Sequence, residues 1–440
     1  MNSGMKTLIM AGGKGTRVSS IAPDIPKPMI PICGKPILEY QINHLVENCL
    51  KDLVIIVGHL GQHIKNYFGD GSRFGCTISY YTETEPLGTA GALFKLKNLA
   101  GDFLLINGDI IFDMDFSRFI SFHQEKKALA SLAVHPNSHP YDSAIIITDA
   151  EDRVTRWLNK EDPRHYYKNL VNSGIHILSK ELLDQVQPRT EKVDLDRDIL
   201  KPLIDSKRIF AYTTPEYIKD MGTVERYTQV STDIKTGMVS RRNLSHPQRA
   251  VFIDRDGTIN QLQGFITRPE DFELLAGAAE AVRTINKAGY LAIVITNQPV
   301  IARGEATIEE LELIHRKMET ELGKSGAFVD AVFYCPHHPK KGFPGERIEY
   351  KIDCDCRKPK PGLIFRAAKK YHIDLSQSYM AGDDERDLQA ALAAGCLPVF
   401  LTPEYETENK MRGKYGPELL VFKNLKEFTE SVIKDNEVDH

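Results

Sequence analysis

Two runs of residues in this chain have the types and spacing to handle phosphate. Asp254-Arg255-Asp256-Gly257-Thr258 follows the apolar run Ala250 to Ile253 and sets two carboxylates one residue apart. Asp254 can attack phosphorus while Asp256 gives a proton to the departing oxygen and later draws one from water. Ala11-Gly12-Gly13-Lys14-Gly15-Thr16-Arg17 follows the run Thr7 to Met10. Its amides suit a nucleotide's phosphates, because glycine lets the backbone come close, and Lys14 and Arg17 add charge. The glycine spacings match neither a Walker loop nor a dinucleotide fingerprint. A third set, Cys335, His337, Cys354 and Cys356, supplies three thiolates and an imidazole, enough for a closed tetrahedral zinc site, with His338 as an alternative ligand. Such a site leaves no position for water, so its zinc is expected to be structural. A chain that carries both a phosphate cradle and a phosphate-removing pair is expected to act in two consecutive steps on one phosphorylated metabolite.

The elements that must position these residues alternate along the chain. β-rich runs at Thr7 to Met10, Leu53 to Val57, Thr77 to Tyr81 and Phe103 to Ile106 are separated by helical periodicity at Ile37 to Asn48 and Thr89 to Leu99. Further strands are expected at Ala130 to Val134, Ser143 to Thr148, Val171 to Leu178 and Ile209 to Thr213, then a helix from Thr223 to Lys235. The alternation restarts with strand Ala250 to Ile253, helix Ala278 to Ala288, strand Leu291 to Thr296 and helix Ile308 to Leu322. After an irregular stretch from Cys335 to Pro361 come helix Leu363 to Tyr371, strand Tyr379 to Ala381 and helix Arg386 to Ala394. This pattern predicts an α/β chain with two Rossmann-like domains. The expected boundaries are 1–237, a polar linker at 238–249, and 250–440.

At 440 residues, two domains are the ordinary expectation, and 42% hydrophobic content suffices for two cores. A formal net charge of -4 gives no general attraction to nucleic acid or an anionic membrane, so small-molecule substrates are the expected partners. No apolar run is long enough to span a bilayer, and the first residues lack the sections of a signal peptide, so a cytoplasmic location is expected. Seven cysteines, an odd count, fit reduced thiols better than a disulfide framework.

The Gly-rich run, Pro26-Lys27-Pro28-Met29, Gly34-Lys35-Pro36-Ile37 and Asn107-Gly108-Asp109 together resemble the sugar-phosphate nucleotidyltransferases from about Lys6 to Lys235. The resemblance implies attack of a sugar 1-phosphate on the α-phosphorus of a nucleoside triphosphate, with pyrophosphate leaving. Gly12, Gly13, Gly15, Thr16 and Arg17 would hold the triphosphate, Lys27 would neutralise the reacting phosphates, and Asp109 and Asp220 would hold Mg²⁺. Gly88, in the base-side segment Glu85-Pro86-Leu87-Gly88-Thr89-Ala90, would let the backbone approach the nucleotide, Asn172 would lie where the sugar is held, and Lys160 would meet the sugar phosphate. Asp109 also fits a turn cap and Asp220 the N-cap of the next helix. Asn159-Lys160 stands where many relatives have Glu-Lys.

Asp254, Asp256, Thr296, Lys358 and Asp383 occur in the order of the haloacid-dehalogenase-type phosphatases from Arg249 to about Leu401. The resemblance implies that Thr296 binds the phosphoryl group, that Lys358 orders Asp254, and that Asp254, Asp256 and Asp383 hold Mg²⁺, with Asp384 and Asp387 in reserve. The cysteine-rich loop, Asn297-Gln298 and Ala302-Arg303-Gly304 resemble the heptose-bisphosphate phosphatases, which remove the 7-phosphate and leave the anomeric one. Sixteen residues between His337 and Cys354 fit that family better than the histidinol-phosphate phosphatases. Asn297, Gln298, Arg303 and Arg357 would contact substrate. One departure is Pro299-Val300, where relatives often carry Ser-Gly.

Together the resemblances imply a fused enzyme that converts D-glycero-D-manno-heptose 1,7-bisphosphate to the 1-phosphate and joins it to GMP from GTP, giving GDP-heptose. Two alternatives stay open from the sequence. The transferase half could serve another sugar 1-phosphate, such as mannose 1-phosphate, beside a phosphatase of different substrate, or it could be a non-catalytic sugar-nucleotide sensor.

Overall fold

The computed structural model describes residues 4–13, 24–96, 99–186 and 192–434. They form two compact units, the first drawn from Met1–His135, Ile146–Asn159 and Leu170–Asn243, the second from Pro136–Ile145, Lys160–Asn169 and Leu244–His440.

The first unit is built on β1 (Lys6–Met10), α1 (Ile37–Glu47), β2 (Asp52–Val57), β3 (Thr77–Thr82), β4 (Phe103–Asn107), β5 (Ile110–Asp113), α2 (Phe116–Lys126), β6 (Ala130–His135), β7 (Ile145–Thr148), β8 (Val154–Leu158), β9 (Val171–Leu178), β10 (Ile209–Thr213), β11 (Tyr217–Asp220), α3 (Val224–Lys235) and α4 (Met238–Arg241). A nine-stranded sheet runs β8-β7-β9-β4-β1-β2-β3, with β6 on β9 and β10 on β6. Strands β4, β1, β2 and β3 are parallel, whereas β9 is antiparallel to β4 and β6. The parallel strands are apolar along their length because both faces are covered; Leu8, Ile9, Ile55, Ile56, Leu104 and Ile106 are fully buried. Strands β5 and β11 form a separate antiparallel ribbon, in which Ile110 pairs with Asp220.

Two stretches differ from the periodicity. Thr89 to Leu99 forms a single tight turn, Gly91–Phe94, in place of a helix among its described residues. The Ala90 amide is committed to the Val193 carbonyl at 3.0 Å, and Gly91 weakens helix propagation. In the polar stretch 238–249, α4 forms because Met238 and Val239 pack against a cluster containing Ile30, Ile32 and Tyr217.

The second unit contains β12 (Ala250–Ile253), α5 (Ala278–Lys287), β13 (Leu291–Asn297), α6 (Ile308–Lys324), β14 (Ala331–Cys335), α7 (Gly362–Tyr371), β15 (Tyr379–Gly382), α8 (Glu385–Ala394), β16 (Leu397–Leu401) and β17 (Leu420–Phe422). Its six strands are all parallel, in the order β14-β13-β12-β15-β16-β17. Two apolar layers, one around Val282, Ile285 and Ile314 and one around Leu363, Ile364 and Ala391, cover the two faces. Reversal of strand order on either side of β12 places its carboxyl end in the crevice where such sheets bind ligands. Both units are thus α/β, as the alternation predicts.

Candidate active sites

Asp254 leaves β12 at that crevice, its amide bound to the Ala381 carbonyl of β15 at 2.9 Å. Asp383 follows β15, Thr296 lies in β13, and Asp387 stands in the first turn of α8. Lys358 Nζ lies 2.7 Å from Asp254 Oδ1 and 2.6 Å from Asp387 Oδ1, and donates to the Ile295 carbonyl at 2.8 Å. The ammonium thus lies between two carboxylates and a backbone carbonyl. Burial opposes the ammonium charge, but Asp254 and Asp387 hold the Lys358 pKa above its ordinary value. Burial lifts Asp254 to about 7, with Asp387 and Asp256 adding to the rise and Lys358 opposing it. Asp383 is lifted to about 6, by burial first and then by Asp254.

Carboxylate oxygens of Asp254, Asp383 and Asp387 lie within 4.8 Å of one another, an all-oxygen donor set that fits a hard divalent cation. Asp256, expected to share in holding the metal, has its carboxylate elsewhere. It accepts from Arg255 at 2.9 Å, Asn260 at 3.1 Å and Gln298 at 2.8 Å. Asp384 pairs with Arg386 at 2.7 Å and caps α8, so of the two reserve aspartates only Asp387 joins the group. Gly257 has φ +85°, and a Cβ there would fall on the Asp383 carboxylate, so only glycine lets the two loops close.

The substrate-loop residues divide. Asn297 clamps the Lys358 backbone, accepting from its amide at 3.0 Å and donating to its carbonyl at 3.1 Å. Gln298 donates to Asp256 and to Thr296 Oγ1. Arg357 donates to the His337 carbonyl at 3.1 Å. Arg303 lies between the rings of Phe265 and Phe343, 4.5 Å from each, with Glu305 at 2.8 Å from its Nε. The Pro299-Val300 departure has a packing reason: Val300 and Ile301 are fully buried with Ala306 and Leu311. Sequence reasoning missed Arg255, whose side chain is fully buried against Asp256. Its signal was a cation set between two carboxylates at the end of an apolar strand.

Cys335, His337, Cys354 and Cys356 converge, with ligand atoms within 4.8 Å of one another. The Sγ–Sγ separations are 3.1 to 3.5 Å and none is a disulfide. Three thiols and an imidazole at these distances fit a tetrahedral zinc. His338 turns instead to the Lys340 carbonyl.

In the first unit, Lys14, Gly15, Thr16 and Arg17 lie outside the described residues. A Cβ on Gly12 would stand 2.6 Å from Glu83 Oε2, the movable end of a flexible side chain, while nothing lies near a Cβ on Gly13. Lys27 Nζ is 2.5 Å from Asp109 Oδ2. Asp109 and Asp220 come to one end of the β5–β11 ribbon, where the Met221 amide donates to the Asp109 carbonyl at 2.9 Å. Asp220 is held by Arg226 at 2.7 Å. Gly88 has φ +83° and packs on the Val193 carbonyl. Asn172 accepts from the Gly174 amide at 3.4 Å, in a bulged segment of β9 whose Gly174 abuts Asn107 beside Asp109. Lys160 is exposed, its Nζ 3.7 Å from Glu161 Oε1. Sequence reasoning also missed Glu83, whose carboxyl pKa burial raises against a backbone bond from Leu87. Among the described residues no helix is long and apolar enough to cross a membrane.

Residues 6–237 match the nucleotidyl transferase family model, and residues 355–428 match a HAD-hydrolase-like model. The D-glycero-beta-D-manno-heptose-1,7-bisphosphate 7-phosphatase of Escherichia coli (strain K12) is 42% identical over 145 residues, 33% of this chain and 74% of that protein. The UTP–glucose-1-phosphate uridylyltransferase of Synechocystis sp. is 32% identical over 241 residues, covering 51% of this chain and 62% of that protein. The mannose-1-phosphate guanylyltransferase of Mycobacterium tuberculosis is 29% identical over 238 residues, covering 52% and 65%. This chain belongs to the nucleotidyl transferase family through its first half and, through its second, to the HAD-type family of the heptose-bisphosphate 7-phosphatases.

Proposed function

We propose that the chain is a bifunctional enzyme of GDP-heptose biosynthesis. Its second half removes the 7-phosphate of D-glycero-D-manno-heptose 1,7-bisphosphate, and its first half transfers GMP from GTP to the heptose 1-phosphate, releasing pyrophosphate. The carrying observation is the buried Asp254–Lys358–Asp387 arrangement in a chain that is 42% identical to a 7-phosphatase over 145 residues and whose first half matches the nucleotidyl transferase family.

In the phosphatase step Asp254 attacks phosphorus and becomes an aspartyl-phosphate. Asp256 protonates the sugar oxygen as the P–O bond breaks, then takes a proton from the water that frees phosphate. Lys358 fixes the attacking carboxylate, Thr296 binds the phosphoryl group, and Asn297 fixes Lys358. Arg303 and Arg357 face the rest of the bisphosphate. Mg²⁺ held by Asp254, Asp383 and Asp387 would neutralise the anionic phosphate as the nucleophile approaches. A structural zinc on Cys335, His337, Cys354 and Cys356 would tie down the loop that ends at Arg357-Lys358.

In the transfer step Arg17, Lys27 and the amides of Gly12 to Thr16 neutralise and align the triphosphate, while Asp109 and Asp220 would hold Mg²⁺. Alignment of two anions is the main catalytic demand, and no covalent enzyme intermediate is needed. Gly88 faces the base, and Asn172 faces the sugar. The units act as separate catalysts joined near 238–249, on small molecules of the cytoplasm.

A second reading keeps the transferase but changes the sugar, because two relatives over this half act on glucose 1-phosphate or mannose 1-phosphate. Pyrophosphate release from heptose, glucose and mannose 1-phosphates, each with GTP and UTP, separates the readings. Preference for heptose with GTP supports ours; preference for a hexose overturns it in favour of the second.

A further inference from the structure

Gln41 and His44 of helix α1, and Asn48 that caps it, follow one another at spacings of three and four residues. Each bonds to the backbone of the segment that runs from the end of β4 into α2. His44 Nε2 lies 2.8 Å from the Met114 carbonyl, and the Phe116 amide donates to Asn48 Oδ1 at 3.3 Å. Gln41 is 1% exposed, and its Nε2 donates to both the Asn107 carbonyl, at 2.9 Å, and the Ile110 carbonyl, at 2.7 Å. Those two carbonyls bracket Gly108-Asp109, so one amide nitrogen closes the turn that carries the Asp109 carboxylate. A group with two N–H donors and no charge is required there, at the reach of a glutamine. The same turn is tightly wedged: a Cβ on Gly108 would stand 2.8 Å from the Met10 carbonyl and 3.3 Å from Ala11 and Pro28. It thus touches both the start of the glycine-rich run and the turn of Lys27.

We propose that Gln41 is a positioning residue of the first site, fixing the Asn107–Ile110 turn and with it the direction in which Asp109 meets metal and phosphates. The claim rests on the transferase reading above. Gln41 touches no substrate and acts through Asp109 alone.

The test uses the full chain carrying Gln41→Met, which keeps length and bulk but donates nothing, or Asn48→Ala, which removes bonds from the cap of the same helix. Pyrophosphate release from GTP and sugar 1-phosphate is measured against Mg²⁺ concentration. Phosphate release from heptose 1,7-bisphosphate is followed alongside. Mn²⁺ bound only on addition of a non-hydrolysable GTP analogue is counted by electron paramagnetic resonance. The emission of Trp157, the chain's single tryptophan and part of the first unit, reports folding.

Gln41→Met is expected to lower kcat for pyrophosphate release about 10–100-fold, with KM for the sugar little changed. Its Mg²⁺ requirement rises and its nucleotide-dependent Mn²⁺ binding weakens, while phosphate release and Trp157 emission stay put. Asn48→Ala alters none of these kinetic quantities. Unchanged kcat and Mn²⁺ binding in Gln41→Met overturn the proposal, and so does an equal loss in Asn48→Ala. Should Gln41→Met misfold, Gln41→Glu decides. Its carboxylate opposes two carbonyls at pH 8, whereas its protonated form donates one bond, so pyrophosphate release should recover partly towards pH 6. A pH profile matching the unsubstituted chain overturns the claim. If the unsubstituted chain makes no pyrophosphate, the transferase reading falls, and Gln41 is judged on nucleotide-dependent Mn²⁺ binding alone.

Discussion

Lys358 concentrates the electrostatics of the second unit, because one buried ammonium stands between two buried carboxylates. Lys358→Met leaves Asp254 and Asp387 facing each other without a cation. Phosphate release should fall about 10²–10³-fold. Stability by urea unfolding should fall about 3–5 kcal/mol at pH 8, and less at pH 5, where the carboxyls protonate. A second titration belongs to Glu319 in α6, which accepts from the Asn169 amide at 2.7 Å within the same unit. Burial lifts it from 4.5 to about 7, with Lys168 opposing. The folded chain keeps this proton to higher pH than the unfolded chain does. Its stability contribution is therefore complete below about 4.5 and lost as pH rises through about 7. Glu319→Gln should flatten unfolding free energy across pH 5 to 8 and raise it at pH 8 by about 1–3 kcal/mol. An unchanged pH dependence would contradict this assignment.

Among the elements, the cysteine-rich loop between β14 and α7 has little regular structure and brings four potential ligand atoms within 4.8 Å of one another. Stripping metal with a strong chelator should release one zinc per chain and cut phosphate release about tenfold or more, while pyrophosphate release persists. Full phosphate release after zinc loss would show that the loop needs no metal. This loop was legible in the sequence because the Cys-x-His and Cys-x-Cys spacings are set by local chain geometry. Strand Ala250–Ile253 was equally legible, being a short apolar run buried along its whole length. The ribbon of β5 and β11 was not, since its partners are about a hundred residues apart and its four-residue strands carry little pattern. The Thr89 to Leu99 helix was read from apolar spacing that instead fills the core through Ala90, Ala92 and Leu93 in a tight turn. Asp387 could only be held in reserve, because its meeting with Lys358 depends on α8 aiming its first turn at β12. Arg303 is expected to contact substrate, but its packing against Phe265 and Phe343 could not be read, because the two rings come from two other loops that no local pattern connects.

At the scale of the whole molecule, two α/β units of different lineage share one chain, and the proposed product of one is the substrate of the other. Nothing in that relation requires a channel; joined catalysts can exchange a diffusing intermediate. The order of the two steps is the central claim, and it is tested by following phosphate and pyrophosphate together from the full chain given heptose 1,7-bisphosphate, GTP and Mg²⁺. Phosphate should appear first and pyrophosphate after a lag, Asp254→Asn should abolish both, and added heptose 1-phosphate should restore pyrophosphate alone. Pyrophosphate that appears without phosphate, or that survives Asp254→Asn on the bisphosphate, would contradict the two-step account.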